Sequence, residues 1–64
     1  MLSPRERQVL TLLMDGSTND VIGDQLGIRA STVKFHVARL CAKLGVDNRT
    51  QAVVTGLRRG LIAL

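Results

Sequence analysis

The sequence contains no tryptophan or tyrosine, and only one phenylalanine (Phe35), one proline (Pro4), one cysteine (Cys41) and one histidine (His36). Each scarcity excludes something. A lone cysteine cannot close an internal disulfide, and with a single histidine beside it no recognised zinc-ligand spacing exists. Neither a metal nor any other cofactor is expected. With one aromatic ring there is no platform on which single-stranded bases could stack. No apolar run approaches the ~20 residues that a membrane-spanning helix requires, and the N-terminus lacks the apolar stretch of a secretion signal. A membrane is therefore not an expected partner, and a reducing, cytoplasmic setting is. The basic residues also lack the Trp-, Leu- and Phe-rich partner face of an interfacial helix.

The 64 residues present read as one domain, 1–64. A chain of this length buries only ~60% of the surface its unfolded form exposes, which leaves no core to spare for a large active-site cavity. Hydrophobic residues make up 45% and charged residues 22%, a globular balance. Nine basic against five acidic residues give a net charge of +4, and the charge is unevenly placed. Residues 1–28 sum to −2; residues 29–64 sum to +6, with Asp47 the only acid among Arg29, Lys34, Arg39, Lys43, Arg49, Arg58 and Arg59. A basic patch on a small domain points to a polyanionic partner, nucleic acid first.

Four helical segments are predicted and no strand pattern is present, so the fold class is all-α. Ser3-Pro4 supplies an N-cap followed by a first-turn proline; Val9, Leu10 and Leu13 then fall at helical spacing, and Asp15-Gly16 ends the segment. The second segment starts at Thr18, pairs Ile22 with Leu26 and stops at Gly27. Gly23 inside it is costly for a helix and is tolerated best where another helix packs close. The third runs from Arg29 or Ala30 to Leu44, with Val33, Val37, Leu40 and Leu44 on its inner stripe. The fourth begins at Asn48, where Asn48 and Gln51 have capping-box spacing. It ends at Gly60, after which Leu61-Ile62 can fold back over the core.

Gly27-Ile28-Arg29 joins the second and third segments as a helix-turn-helix. On the helical wheel of the third segment, Phe35 and Ala42 point away from the core, with Lys34, Ala38 and Arg39 beside them. Thr32, His36, Arg39 and Lys43 form a stripe along one shoulder. No acidic residue lies on any face of this helix, whereas an ordinary surface helix mixes both signs. Plainer roles exist for each residue: Phe35 could pack into a protein contact, Lys34 and Arg39 could be solvated charges, and His36 could be a shoulder residue without chemistry. Cys41 is expected to be a packed, small hydrophobe. There is no Ser-His-Asp set, phosphate-cradling Gly loop or carboxylate pair, so an enzyme is not expected.

These residues together resemble the LuxR/FixJ-type helix-turn-helix domain, the C-terminal output module of many bacterial response regulators and quorum-sensing regulators. "LSPRERQVLTLL" is similar to the family's opening helix and "DGSTNDVIGDQLGI" to its second helix and turn. "STVKFHVARLCAKLGVDNRTQAV" is similar to the recognition helix and the start of the fourth. The resemblance covers almost the whole chain, and the "TVKFH" and "KLGV-N-R-T-AV" elements are specific in combination. Sigma-factor region 4 shares the first part but usually not the second.

The resemblance implies a four-helix domain whose third helix enters the major groove and whose fourth forms a dimer contact. Carried over by position, Lys34, Phe35 and Ala38 would face base edges. Thr18, Ser31, Thr32, His36, Arg39, Lys43 and Arg49 would face the DNA backbone. Val54, Leu57 and Arg58 would lie at the dimer seam. The implied function is sequence-specific binding of double-stranded DNA by a transcriptional regulator of a two-component system, as a homodimer on DNA, with RNA polymerase a further candidate partner. The alternative is an interaction module that docks on RNA polymerase or another regulator. Four positions depart from the family pattern: Val21 replaces a common Glu, Arg29 a common Ser or Thr cap, Asp20 a basic or neutral residue, and Ala38 a polar or basic one.

Overall fold

Local signals place three of the four helix starts. The computed structural model describes residues 1–64, with α1 at Pro4–Met14, α2 at Asn19–Leu26, α3 at Ala30–Leu44 and α4 at Arg49–Arg58, and no strand. Ser3 caps α1: its hydroxyl accepts from the Glu6 amide at 3.1 Å, while the Ser3 amide donates to Glu6 Oε1 at 2.8 Å. This reciprocal box satisfies two amides that the helix itself cannot. Thr18 caps α2 by accepting from the Val21 amide, and Asn48 caps α4 by accepting from the Gln51 amide. The return arm of that last cap lands one residue early, since Gln51 Oε1 accepts from the Asp47 amide, at 3.4 Å, instead of from Asn48. The capping box expected there is thus half formed. Arg29 stands at the N-cap of α3 with no side-chain cap bond, in keeping with its departure from Ser or Thr.

Eleven residues form one apolar core: Leu2, Val9, Leu10, Leu13, Ile22, Val33, Leu40, Cys41, Leu44, Ala52 and Ile62. Helix α3 packs against all three other helices, and α1 also packs against α4. Val37, expected on the inner stripe of α3, is only partly buried; Cys41 takes a place in the core instead. Ile62 folds back as expected and closes over Gly56.

The turn between α2 and α3 fixes how the third helix is presented. Gly27 has φ of 70°, the left-handed conformation that ends α2 and reverses the chain within two residues. Gly23 permits the close approach, though the neighbour is the turn and not the flank of a helix. A Cβ there would lie 2.6 Å from the Ile28 carbonyl oxygen and 3.4 Å from the Ala30 nitrogen.

Candidate nucleic-acid interface

The outer face of α3 is built from a regular 15-residue helix, about 22 Å long at 1.5 Å per residue. Its inner stripe is sealed by the core, so the wheel orientation is fixed. Ser31, Lys34, Phe35, Ala38, Arg39, Ala42 and Lys43 are exposed, and Thr32 and His36 are half-buried on the shoulder. Phe35 is 58% exposed, the only large hydrophobic residue of α3 left in solvent. Its ring is held by neighbours on the same helix. The Arg39 guanidinium carbon lies 5.7 Å from the ring centroid, and His36 meets it edge-on with centroids 6.4 Å apart. Both geometries are favourable for a π-system with a negative face and a positive rim.

The structure divides the basic residues into free and engaged. Lys34 takes part in no ion pair within the chain. Lys43 donates to Glu6 Oε1 at 2.8 Å and reaches the Met1 carbonyl oxygen at 3.5 Å. Arg39 Nε lies 3.9 Å from Glu6 Oε2, and the Arg39 side chain is more than half exposed. Glu6 is 3% exposed, the one buried charged residue. The Lys43 ammonium, followed by the Ser3 amide, lowers its pKa from 4.5 to about 2, against the opposing effect of burial. Glu6 therefore pins the shoulder of α3 to the first turn of α1 and compensates part of that shoulder's charge.

Glu6 carries no site role in the sequence reading. The Ser3-x-x-Glu6 spacing could have flagged it as a capping residue, but no local pattern announces a partner 37 residues away. Asn19 was equally silent. Its Oδ1 accepts from Arg49 Nη2 at 2.9 Å, which ties the start of α4 to the start of α2. This contact brings Arg49 beside Thr18, and both line a shallow depression with Thr50 and Val54. In α4, Ala52 and Gly56 are buried, Val53 and Leu57 are partly buried against the core, and Val54 and Arg58 are exposed. Leu57 thus contributes to the core, while Val54 and Arg58 remain available at the surface.

An open groove lies elsewhere, between α1 and α2, lined by Leu2, Pro4, Arg7, Gln8, Leu12 and Leu26 among others. Its lining holds no carboxylate, and its one hydroxyl, that of Thr11, donates to the Arg7 carbonyl oxygen at 3.0 Å. No group of three His, Cys, Asp or Glu side chains is placed to hold a metal ion, and no helix is long and apolar enough to cross a membrane. Burial raises the pKa of the Cys41 thiol, so this side chain is a packed apolar group and a poor nucleophile.

Residues 1–55 match the family described as bacterial regulatory proteins, luxR family. The chain is 42% identical over 64 residues to the spore germination protein GerE of Bacillus subtilis, covering 100% of this chain and 86% of GerE. The solved structure of GerE superposes with a TM-score of 0.92 at 37% identity, over 97% of this chain and 92% of GerE. Identity to the transcriptional regulatory protein DegU of Brevibacillus brevis is 44% over 62 residues, but that match spans 97% of this chain and only 26% of DegU. The response regulator ChrA of a heme-sensing two-component system is similar with a TM-score of 0.94 at 40% identity, over 97% of this chain and 31% of ChrA. The chain thus spans about a quarter of DegU and a third of ChrA, and most of GerE.

Proposed function

Since the chain belongs to the luxR family of bacterial regulatory proteins, we propose that residues 1–64 form one module that binds double-stranded DNA sequence-specifically in the cytoplasm, as part of a transcriptional regulator. The observation that carries this reading is the outer face of α3: basic and small residues with one exposed ring, and no acid among its 15 residues. A helix of this kind fits the major groove, about 12 Å wide. Lys34, Phe35 and Ala38 face base edges, Lys34 donating to guanine O6 or N7. Ser31, Thr32, His36, Arg39 and Lys43, with Thr18 and Arg49 at the paired starts of α2 and α4, face phosphates and set the register. The exposure of the Arg39 side chain supports its taking a phosphate while Nε stays with Glu6.

One helix makes few base contacts, so two copies on half-sites about one DNA turn apart supply the remaining affinity. Exposed Val54 and Arg58, with Leu57 behind them, form the seam between copies. The similarity to DegU and ChrA supports an output role in a two-component system. Regulation of this kind requires binding and no catalysis.

Selection from a random duplex pool, followed by anisotropy titration of the enriched sites, tests the reading. A recurrent motif with two half-sites is the expected result. Absence of any enriched motif, or of binding at about 50 mM salt where phosphate contacts are strong, would overturn it.

A further inference from the structure

Resting on the major-groove reading above, we propose that Phe35 is a sensor of the pyrimidine C5-methyl group, so that each half-site carries one methyl-bearing pyrimidine, thymine or 5-methylcytosine, opposite this ring. Three observations lead there. First, Phe35 is 58% exposed on the face of α3 that otherwise carries short or polar side chains. Along the helix its neighbours one turn away are Ser31 and Thr32 on one side and Ala38 and Arg39 on the other; Arg39 lies over one face of the ring, and the short Ser31, Ala38 and Ala42 leave the rest of it open to an approaching groove floor. Second, the ring is already positioned in the free protein, with Arg39 over its face at 5.7 Å and His36 at its edge. It need not be ordered on binding, which removes part of the entropic cost of the contact. Third, the chemistry of the groove leaves one match. The C5-methyl is the only apolar group on the major-groove edges. A phenyl ring pressed on guanine N7 and O6 or on adenine N6 and N7 strips water from polar atoms and returns no hydrogen bond. Over a methyl group it buries apolar surface on both sides.

Arg39 also links the ring to α1. Its guanidinium carbon lies 5.7 Å from the ring centroid and its Nε 3.9 Å from Glu6 Oε2.

The test uses a duplex chosen by the selection described above. Each thymine in turn is replaced by deoxyuridine, which removes the methyl and keeps every hydrogen-bonding group. One position per half-site loses roughly fourfold in affinity, the factor that one buried methyl corresponds to, and the other positions are unaffected. At that position a cytosine and a 5-methylcytosine are then compared. A gain of the same size identifies methylated cytosine as a second source of the group, and no gain restricts the contact to thymine; either outcome follows the loss seen with deoxyuridine. Phe35→Ala erases the thymine–deoxyuridine difference, and Phe35→Leu, still apolar, retains part of it. Because Phe35 is exposed, both variants fold, and circular dichroism checks this. If the selected duplex binds tightly yet no thymine is sensitive, or Phe35→Ala remains as sensitive as the parent, the methyl proposal is overturned and DNA reading stands. Failure to bind any duplex, with Phe35 protected by a protein partner instead, overturns both.

Discussion

Glu6 and Lys43 show how a single side chain can serve the fold and the interface together. The carboxylate of Glu6 accepts from Lys43 and from the Ser3 amide, both on Oε1 at 2.8 Å. Its folded pKa lies below the unfolded one, so its contribution to stability is complete above pH 4.5 and fades as pH falls toward about 2. Fully transmitted, that shift corresponds to about 3 kcal/mol; solvent screening of the partly exposed Lys43 reduces the expected loss to about 1–2 kcal/mol. Equilibrium denaturation at a series of pH values reads it out, and Glu6→Gln flattens the profile in that window. Lys43→Ala strands the buried carboxylate and costs about 2 kcal/mol, a drop in Tm close to 10 °C for a domain this small. Lys34→Ala, with no partner in the chain, leaves Tm unchanged and relaxes sequence preference in competition titrations. Equal effects of the two lysines on melting would contradict the division between engaged and free charges.

At the level of elements, the joint between α2 and α3 is the least forgiving. A Cβ on Gly23 meets the Ile28 carbonyl oxygen at 2.6 Å, and backbone cannot rotate away. Gly23→Ala gains nearly 1 kcal/mol of helix propensity but forces the turn apart, for a net loss of about 2 kcal/mol. The displaced turn also tilts α3, so DNA affinity falls together with Tm. Gly56→Ala is the contrast. Its Cβ meets Leu10 Cδ2 at 2.8 Å and Ile62 Cγ1 at 3.3 Å, both side-chain atoms. Leu10 Cδ2 is the far end of a side chain and Ile62 lies in the C-terminal segment, so both can shift where backbone cannot; the propensity gain offsets part of the crowding and the net loss is about 1 kcal/mol. Thermal melts of the two variants separate backbone from side-chain obstruction. A third joint, Arg49 to Asn19, links the starts of α4 and α2. The helix ends themselves were legible in the sequence because Ser3, Thr18 and Asn48 act on amides only three residues away. The exception is instructive: whether Gln51 returns to Asn48 or to Asp47 depends on the path of the loop before α4, which spacing does not encode.

For the whole molecule, the decisive property is where the net charge of +4 ends up. Residues 1–28, acidic on balance, form the helices that support α3, and the basic remainder supplies α3 and the start of α4. Binding to duplex DNA is therefore expected to weaken steeply with salt. If Lys34, Arg39, Lys43 and Arg49 each displace a counterion, the slope of log affinity against log salt is close to −4 per copy. Anisotropy titrations across roughly 50–200 mM salt measure it, and a flat response would refute phosphate-driven binding. A slope nearer −3 is expected if Lys43 stays with Glu6 in the complex.

The sequence alone determined the four helices, their limits and the outward face of α3, because caps, terminal glycines and a 3.6-residue period act over one or two turns. It also carried the family resemblance, since that rests on residue order. Only the tertiary structure decided that Glu6 would be buried beneath Lys43 and Arg39, that Arg49 would hold Asn19, and that Leu57 would turn partly to the core while Val54 stayed exposed. Each of those outcomes depends on how two helices cross, and a crossing is set by the fit of whole packed surfaces rather than by any stretch of sequence read locally.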